Sequence, residues 1–251
     1  MSSDFHILIP ARLDSTRLPR KALAELAGVP LVLHTLRRAQ AAGAASIHVA
    51  TDSEEIAEVV RQAGGKALLT SSEHRSGTDR LAEASVTLEL ADEAIVVNLQ
   101  GDEPAMPADC LVQVARLLAE DSQAQMATLW QPVADKAQWL DPNVVKLLTD
   151  GRGRALYFSR AAVPHCRDGG WPESQARRHV GLYAYRAGAL KAWQQLPASQ
   201  LEQLESLEQL RALEAGWVIA TAAAVAPIPV GIDTPEDLQR LRAELSGKLD
   251  A

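Results

Sequence analysis

The sequence predicts an α/β fold: a doubly wound, mostly parallel sheet with helices on both faces, accompanied by a smaller second lobe. Three observations predict it. Short apolar runs without polar alternation read as strands buried on both faces. Between them lie segments of helical periodicity that end at glycines. Strand and helix then alternate through the first half, the pattern of right-handed βαβ units.

The first strand is Phe5 to Pro10, short, apolar and followed by a polar loop. From Pro30 the chain turns helical, with Leu31, Leu33, Leu36 and Ala39 near helical spacing and Gly43 as the stop. Ser46 to Ala50 is the second strand. Thr51 and Glu54 have the spacing of a capping box, opening a helix that ends at Gly64 and Gly65. Lys66 to Leu69 reads as a third strand, Asp79 to Leu90 as a helix and Ala94 to Gln100 as a strongly apolar fourth strand. The second half is less regular, with strands predicted at Met126 to Val133, Val144 to Leu148, Ala155 to Ser159 and Val180 to Tyr185. A helix is predicted from Gln203 to Glu214, where leucines 201, 204, 207, 210 and 213 form a core-facing stripe. Thr234-Pro235-Glu236-Asp237 supplies an N-cap, a proline at the first helical position and acids in the first turn. No repeat, low-complexity tract or linker interrupts the chain, so residues 1–251 read as one domain.

With 251 residues and 47% hydrophobic content, the chain can bury a substantial core. A formal net charge of -7 argues against a general binder of nucleic acid or membrane surface. Any anionic ligand must meet a local basic cluster. Cys110 and Cys166 lack the spacing of a zinc site or disulfide framework and read as packing residues. The N-terminus lacks a basic leader with a long apolar run, and no stretch is long enough to span a bilayer, which together predict a cytoplasmic protein.

In doubly wound sheets, ligands bind beyond the carboxyl ends of the strands. The loops after Pro10, Leu69 and Gln100 are therefore where chemistry is expected. The first places Arg12, Arg17, Arg20 and Lys21 directly after a strand. Arg12 and Arg17 have the fork geometry for phosphate oxygens, and Lys21 can act as a point charge; local composition equally allows a solvated basic loop. Neither a P-loop nor a dinucleotide glycine fingerprint is present, which disfavours a dehydrogenase. Asn98-Leu99-Gln100-Gly101-Asp102-Glu103-Pro104 ends a buried strand in a turn that presents acids. Asp102 there is either a magnesium ligand or an Asx-turn residue. Asp233, just before the last helix, either starts that helix or joins Asp102 on the metal. In His74-Arg75-Ser76-Gly77-Thr78-Asp79-Arg80, glycine admits a close ligand and the hydroxyls can bond base or ribose edges. Ser159-Arg160, Arg177-Arg178-His179 and Glu208-Gln209 offer partners for an acidic sugar, although a lone histidine such as His179 also fits a structural role.

Taken together these segments resemble the 3-deoxy-manno-octulosonate (Kdo) cytidylyltransferases, or CMP-Kdo synthetases, over almost the whole chain. The resemblance is carried by IPAR-x-x-STRLP-x-K at Ile9 to Lys21, ATD at Ala50 to Asp52, H-x-SGT-x-RL at His74 to Leu81 and VN-x-QGDEP at Val97 to Pro104. It continues through NVVK at Asn143 to Lys146, LYFSRA at Leu156 to Ala161, RH-x-G-x-Y-x-YR at Arg178 to Arg186, ESLEQLR at Glu205 to Arg211 and DTPEDL at Asp233 to Leu238.

That resemblance implies a nucleotide-diphospho-sugar transferase-like fold, with a nucleotide-binding lobe of residues 1–125 and 217–251 and a sugar-binding and dimerisation lobe of residues 126–216. It implies transfer of CMP from CTP to Kdo for lipopolysaccharide biosynthesis, in a homodimer. Arg12, Arg17 and Lys21 would hold the triphosphate; Ala11, Ser76, Gly77, Thr78 and Arg80 would complete the nucleotide site. Asp102 and Asp233 would bind catalytic Mg²⁺, making Arg12, Lys21, Asp102 and Asp233 the catalytic set. Arg160, His179, Tyr183, Glu208 and Gln209 would line the sugar pocket, with Gln100 between the two substrates. Two departures stand out: Arg20-Lys21-Ala22 where the family commonly has Gly-Lys-Pro, and Leu13-Asp14 where Tyr-Ala is usual. The rival readings are a cytidylyltransferase for 8-amino-Kdo or a sialic acid, and a catalytically idle nucleotide-binding protein.

Overall fold

Phe5–Ala11 (β1) is buried at nearly every position, and the side chains of its central run alternate between two separate apolar layers. Ile7 and Ile9 enter one layer and Leu8 the other, the period-two geometry that makes a doubly covered strand read as continuously apolar. The computed structural model describes residues 4–15, 18–74, 76–229, 231–232 and 234–249, with side chains to residue 242.

After β1 a short hairpin, Glu25–Leu26 (β2) and Val29–Pro30 (β3), leads into Leu31–Ala41 (α1). The first half continues through Ser46–Thr51 (β4), Glu54–Gln62 (α2), Ala67–Leu69 (β5), Gly77–Thr87 (α3), Ile95–Asn98 (β6) and Ala108–Glu120 (α4). The second half contains Met126–Pro132 (β7), Lys136–Leu140 (α5), Lys146–Thr149 (β8), Ala155–Ser159 (β9), Arg177–Arg186 (β10) and Ala187–Trp193 (α6). Gln200–Glu205 (α7), Gln209–Glu214 (α8), Ile219–Ala223 (β11) and Pro235–Leu249 (α9) complete the order.

The main sheet runs β11-β7-β10-β6-β1-β4-β5, with β8 and β9 extending from β10. Four of the six pairings along that path are parallel; β10 is antiparallel to both β6 and β7. One layer holds α1, α2 and α4, and the other holds α3, α6 and α8. The residues expected to form a smaller lobe build no sheet of their own, since β7 and β10 belong to the same sheet as β1. Chain order switches sides at β1, which goes on to β4 on one flank and receives β6 on the other. That crevice is where the topology places a ligand. Among the described residues no helix is long and apolar enough to cross a membrane.

Some elements depart from the sequence reading. Ser53, not Thr51, caps α2, its hydroxyl accepting from the Ile56 amide at 3.4 Å, while Thr51 Oγ1 accepts from Ser53 N. The helix expected from Gln203 to Glu214 is two short helices, because Ser206 adopts the left-handed conformation with φ 51°. The leucine stripe breaks with it: Leu207 and Leu210 are buried, whereas Leu204 is 82% exposed. Helix α4 and strand β11 were not anticipated at all. Ahead of α9 the expected cap is present, with Thr234 Oγ1 accepting from Asp237 N at 3.2 Å and Asp237 Oδ2 accepting from Thr234 N at 3.0 Å. Cys110 is buried in the core and Cys166 is partly exposed; both are free thiols.

Candidate active site

The loops after β1, β5 and β6 enclose a cavity of about 270 Å³ at the carboxyl ends of the central strands. Ala11, Arg12, Lys21, Ser76, Gly77, Arg80, Gln100 and Asp102 all contribute to its wall. Gly101 is required by packing: a Cβ there would lie 2.9 Å from the Pro10 carbonyl oxygen, so only glycine lets the loop after β6 close on β1. Lys21 Nζ donates to Asp102 Oδ2 at 2.5 Å and to the Ile232 carbonyl at 3.0 Å, and Ile232 N donates to the Asp102 carbonyl at 3.0 Å. These bonds tie three distant segments together around Lys21 and Asp102. Asp233 and Arg17 lie outside the described residues.

Arg12 is exposed at the cavity mouth, whereas Arg80 is buried and committed to protein partners. Its guanidinium donates to Asp52 Oδ2 at 2.6 Å, Thr70 Oγ1 at 2.5 Å and the Ser71 carbonyl. Because Asp52 also accepts from Leu13 N at 3.3 Å, Arg80 braces the first loop from behind. Ser76 caps α3 by accepting from Asp79 N, which orients the amino end of that helix toward the cavity.

Arg20, one of the departures, adopts φ 56° and pairs with Glu55 on α2. A non-glycine residue in this region carries about 1–2 kcal/mol of strain. The ion pair is half exposed on both sides and offsets little of it. Arg20→Gly is therefore expected to stabilise the protein by up to about 1 kcal/mol after glycine's own entropy cost, read as a higher urea midpoint. A lower midpoint would show that the Glu55 pair outweighs the strain.

A second cavity of about 250 Å³ adjoins the first and shares Gly77, Gln100 and Glu208 with it. Tyr183 and Gln209 contribute from the set expected for the sugar, Thr78 lines this cavity and not the first although it was expected on the nucleotide side, and Asn98, Tyr185, Ser206 and Leu207 join them. Glu208 Oε2 accepts from Thr78 Oγ1 at 2.9 Å, and Gln100 Nε2 donates to Asn98 Oδ1 at 3.2 Å. Glu208 is exposed to solvent and lines both cavities, and desolvation raises its pKa against the opposing pull of the Thr78 hydroxyl. Burial also holds the Tyr183 and Tyr185 phenols well above the usual tyrosine value, so both remain protonated donors. Gln209 is 4% exposed, and its amide nitrogen has no protein partner although it lies in the cavity wall. A buried unpaired donor is costly, and in the wall of this cavity a polar ligand can supply the missing partner.

A family model described as cytidylyltransferase matches residues 6–221. The 3-deoxy-manno-octulosonate cytidylyltransferase of Idiomarina loihiensis is 49% identical over 245 residues, covering 95% of this chain and 97% of the relative. The chain belongs to the 3-deoxy-manno-octulosonate cytidylyltransferase family. A second relative, 3-deoxy-manno-octulosonate cytidylyltransferase 2 of Actinobacillus pleuropneumoniae, is 48% identical with 97% and 99% coverage. Among solved structures, a CMP:2-keto-3-deoxy-manno-octonic acid synthetase complexed with CTP aligns at a TM-score of 0.90 and 40% identity, covering 97% of this chain and 99% of that one. A 4-diphosphocytidyl-2C-methyl-D-erythritol synthase of Anaerococcus prevotii, 13% identical with a TM-score of 0.65 and 97% and 99% coverage, shares the fold.

Two residues expected to line the sugar pocket of this cytidylyltransferase border neither cavity. Arg160 directs its guanidinium to the carbonyls of Glu205, Pro142 and Ser206. His179 sits behind Tyr183, with ring centroids 5.3 Å apart, and its Nε2 lies 3.1 Å from Thr128 Oγ1. Desolvation, aided by neighbouring Arg178, lowers the imidazole to about 3, so it is neutral near pH 7. The sign follows from linkage. Between about 6.5 and about 3 the unfolded chain binds more protons than the native one, so this group removes stability as pH falls through that window. Allowing for the ring's partial exposure, the loss near pH 4.5 is about 1–2 kcal/mol. His179→Gln is expected to flatten the acid limb of the stability profile by that amount, measured as urea midpoints at about pH 7.5 and about pH 4.5. Parallel profiles for the two proteins would remove the assignment.

Sequence reasoning missed Tyr185 and Asn98 as wall residues of this cytidylyltransferase, though a signal was there. Tyr183 and Tyr185 are two apart on one strand and so share a face, and Asn98 stands two before Gln100. Antiparallel pairing then sets Tyr183 opposite Asn98.

Proposed function

We propose that this chain transfers CMP from CTP to the anomeric 2-hydroxyl of 3-deoxy-D-manno-octulosonate, releasing CMP-Kdo and pyrophosphate for lipopolysaccharide assembly. One observation carries the reading: a cavity with Arg12 and Lys21 on its wall joins a second, lined by tyrosines and amides, along the shared edge of Gly77, Gln100 and Glu208. A triphosphate in the first and a polyhydroxy acid in the second would meet at that edge, held for reaction by position. The near full-length likeness to enzymes named for these substrates supports the assignment.

In this reading Arg12, Arg17 and Lys21 hold the triphosphate, and Ala11 with Ser76 and Gly77 contacts base and ribose. Tyr183, Glu208 and Gln209 orient the sugar. The anomeric oxygen bonds to the α-phosphorus as the bridge to the β-phosphate breaks, the electron pair of that bond leaves with pyrophosphate, and the hydroxyl proton passes to solvent. Arg12 and Lys21 stabilise the charge that accumulates on the departing group. Asp102 fits a magnesium site, since a partly buried carboxylate at a strand end beside the cationic cavity offers one hard oxygen position and leaves the rest to phosphates and water. Asp102 and Asp233 would hold Mg²⁺, which when bound neutralises charge on the α-phosphate and pyrophosphate. A cytoplasmic homodimer is the form this reading carries.

Pyrophosphate release from CTP and Mg²⁺ tests it, with Kdo, 8-amino-Kdo, N-acetylneuraminate and no sugar compared side by side. Release with Kdo is expected. Release only with another acid reassigns the acceptor, and none with any acid leaves an idle nucleotide-binding protein.

A further inference from the structure

Residues 200–214 contain no glycine or proline, yet the helix breaks at Ser206 in a left-handed conformation. Such a conformation in a non-glycine residue persists only where its surroundings impose it. Glu205 Oε1 accepts from Ser159 Oγ at 2.7 Å and Oε2 accepts from Arg160 N at 2.9 Å. Arg160 Nε donates to the Glu205 carbonyl at 2.6 Å and Nη2 to the Ser206 carbonyl at 3.4 Å. Beneath them Lys146, with no exposed surface, donates to the carbonyls of Arg160 at 2.9 Å, Asp141 at 2.8 Å and Val144 at 2.5 Å. The end of β9 thus grips the end of α7 through both its side chain and its main chain. Three and four residues beyond Glu205, Glu208 and Gln209 reach the second cavity. A helix continued through Ser206 would advance about 100° per residue and turn both off it.

From this we infer that Glu205 is a positioning residue for the acceptor side of the reaction: clamped by Ser159 and the Arg160 main chain, it sets the break that points Glu208 and Gln209 at the sugar acid. It touches neither substrate cavity wall itself. The inference rests on the second cavity taking the acceptor.

The test is steady-state kinetics of Glu205→Gln in the full chain, after the unmodified protein has been shown to turn over CTP with Kdo. The KM for Kdo is expected to rise about tenfold or more while the KM for CTP stays within about twofold. Ser159→Ala, which removes one donor to the carboxylate together with the acceptor of the Ala161 amide and keeps the carboxylate itself, is expected to shift the Kdo KM alone by a smaller factor. Equal increases in both KM values, or no change in either, would overturn the inference. Should Glu205→Gln fail to fold, Ser159→Ala carries the same two outcomes. If the unmodified protein does not turn over Kdo, the proposed reaction falls first, and amide hydrogen exchange at residues 206–209 decides this one: faster exchange in the variant supports the clamp, unchanged exchange refutes it.

Discussion

Asp102→Asn is expected to lower kcat/KM by about 10²- to 10³-fold with the fold retained. The substitution keeps the shape of the side chain and removes the charge on which both Lys21 and a divalent cation would draw. Stability should change little, because the Lys21 pair is partly solvated, with side chains 18% and 27% exposed. The informative measurement is pyrophosphate release as a function of Mg²⁺ concentration, with circular dichroism as the check on folding. If Asp102 is a metal ligand, the variant needs far more Mg²⁺ to reach its residual rate. If Asp102 only holds Lys21 in place, the Mg²⁺ dependence is unchanged and the loss appears in the KM for CTP. Near-normal turnover would remove the carboxylate from the mechanism altogether.

Gln209→Leu should move activity and stability in opposite directions. In the protein without substrate, the Gln209 amide nitrogen is buried and without a partner, a state that costs about 1–3 kcal/mol. Leucine has similar volume and no donor to leave unpaired, so the variant is expected to be as stable as the parent or up to about 1 kcal/mol more stable. Its kcat/KM for the sugar acid should fall by about 10²-fold, since a site built to hydrogen-bond a hydroxyl loses that discrimination with its donor. Thermal melts and initial rates on the same preparation read both effects. A destabilised variant with an unchanged KM for the acceptor would mean that Gln209 serves packing rather than binding.

Much of the site was legible because its determinants are local. A buried strand ending in cations, IPAR followed by STRLP and Lys21, admits either an anion site or a solvated loop, and the structure puts Arg12 and Lys21 on one cavity wall. The Gln100-Gly101-Asp102 turn marks a second strand end, its acid reading as a magnesium ligand or an Asx-turn residue. Helix α4 was legible too and went unread, since Cys110, Leu111, Val114, Ala115 and Leu118 make a clean helical stripe. Strand β11 was not, being rich in alanine with little strand preference and formed by pairing with β7. The leucines at every third position pointed to one helix through Gln203 to Glu214, and tertiary contacts overrode them.

The sequence by itself determined the fold class, the family and the strand ends at which the first cavity opens, because hydrophobic periodicity and motif spacing act within a few residues. Only the tertiary structure decided which candidates face the cavities. It committed Arg80 to Asp52 and Arg160 to the carbonyls at the α7–α8 break, and it left the Gln209 amide unpaired. The physical reason is that a polar side chain takes whichever partner folding brings within about 3 Å. For Arg160 and Glu205 those partners lie 45 residues apart in the chain, beyond the reach of any local pattern.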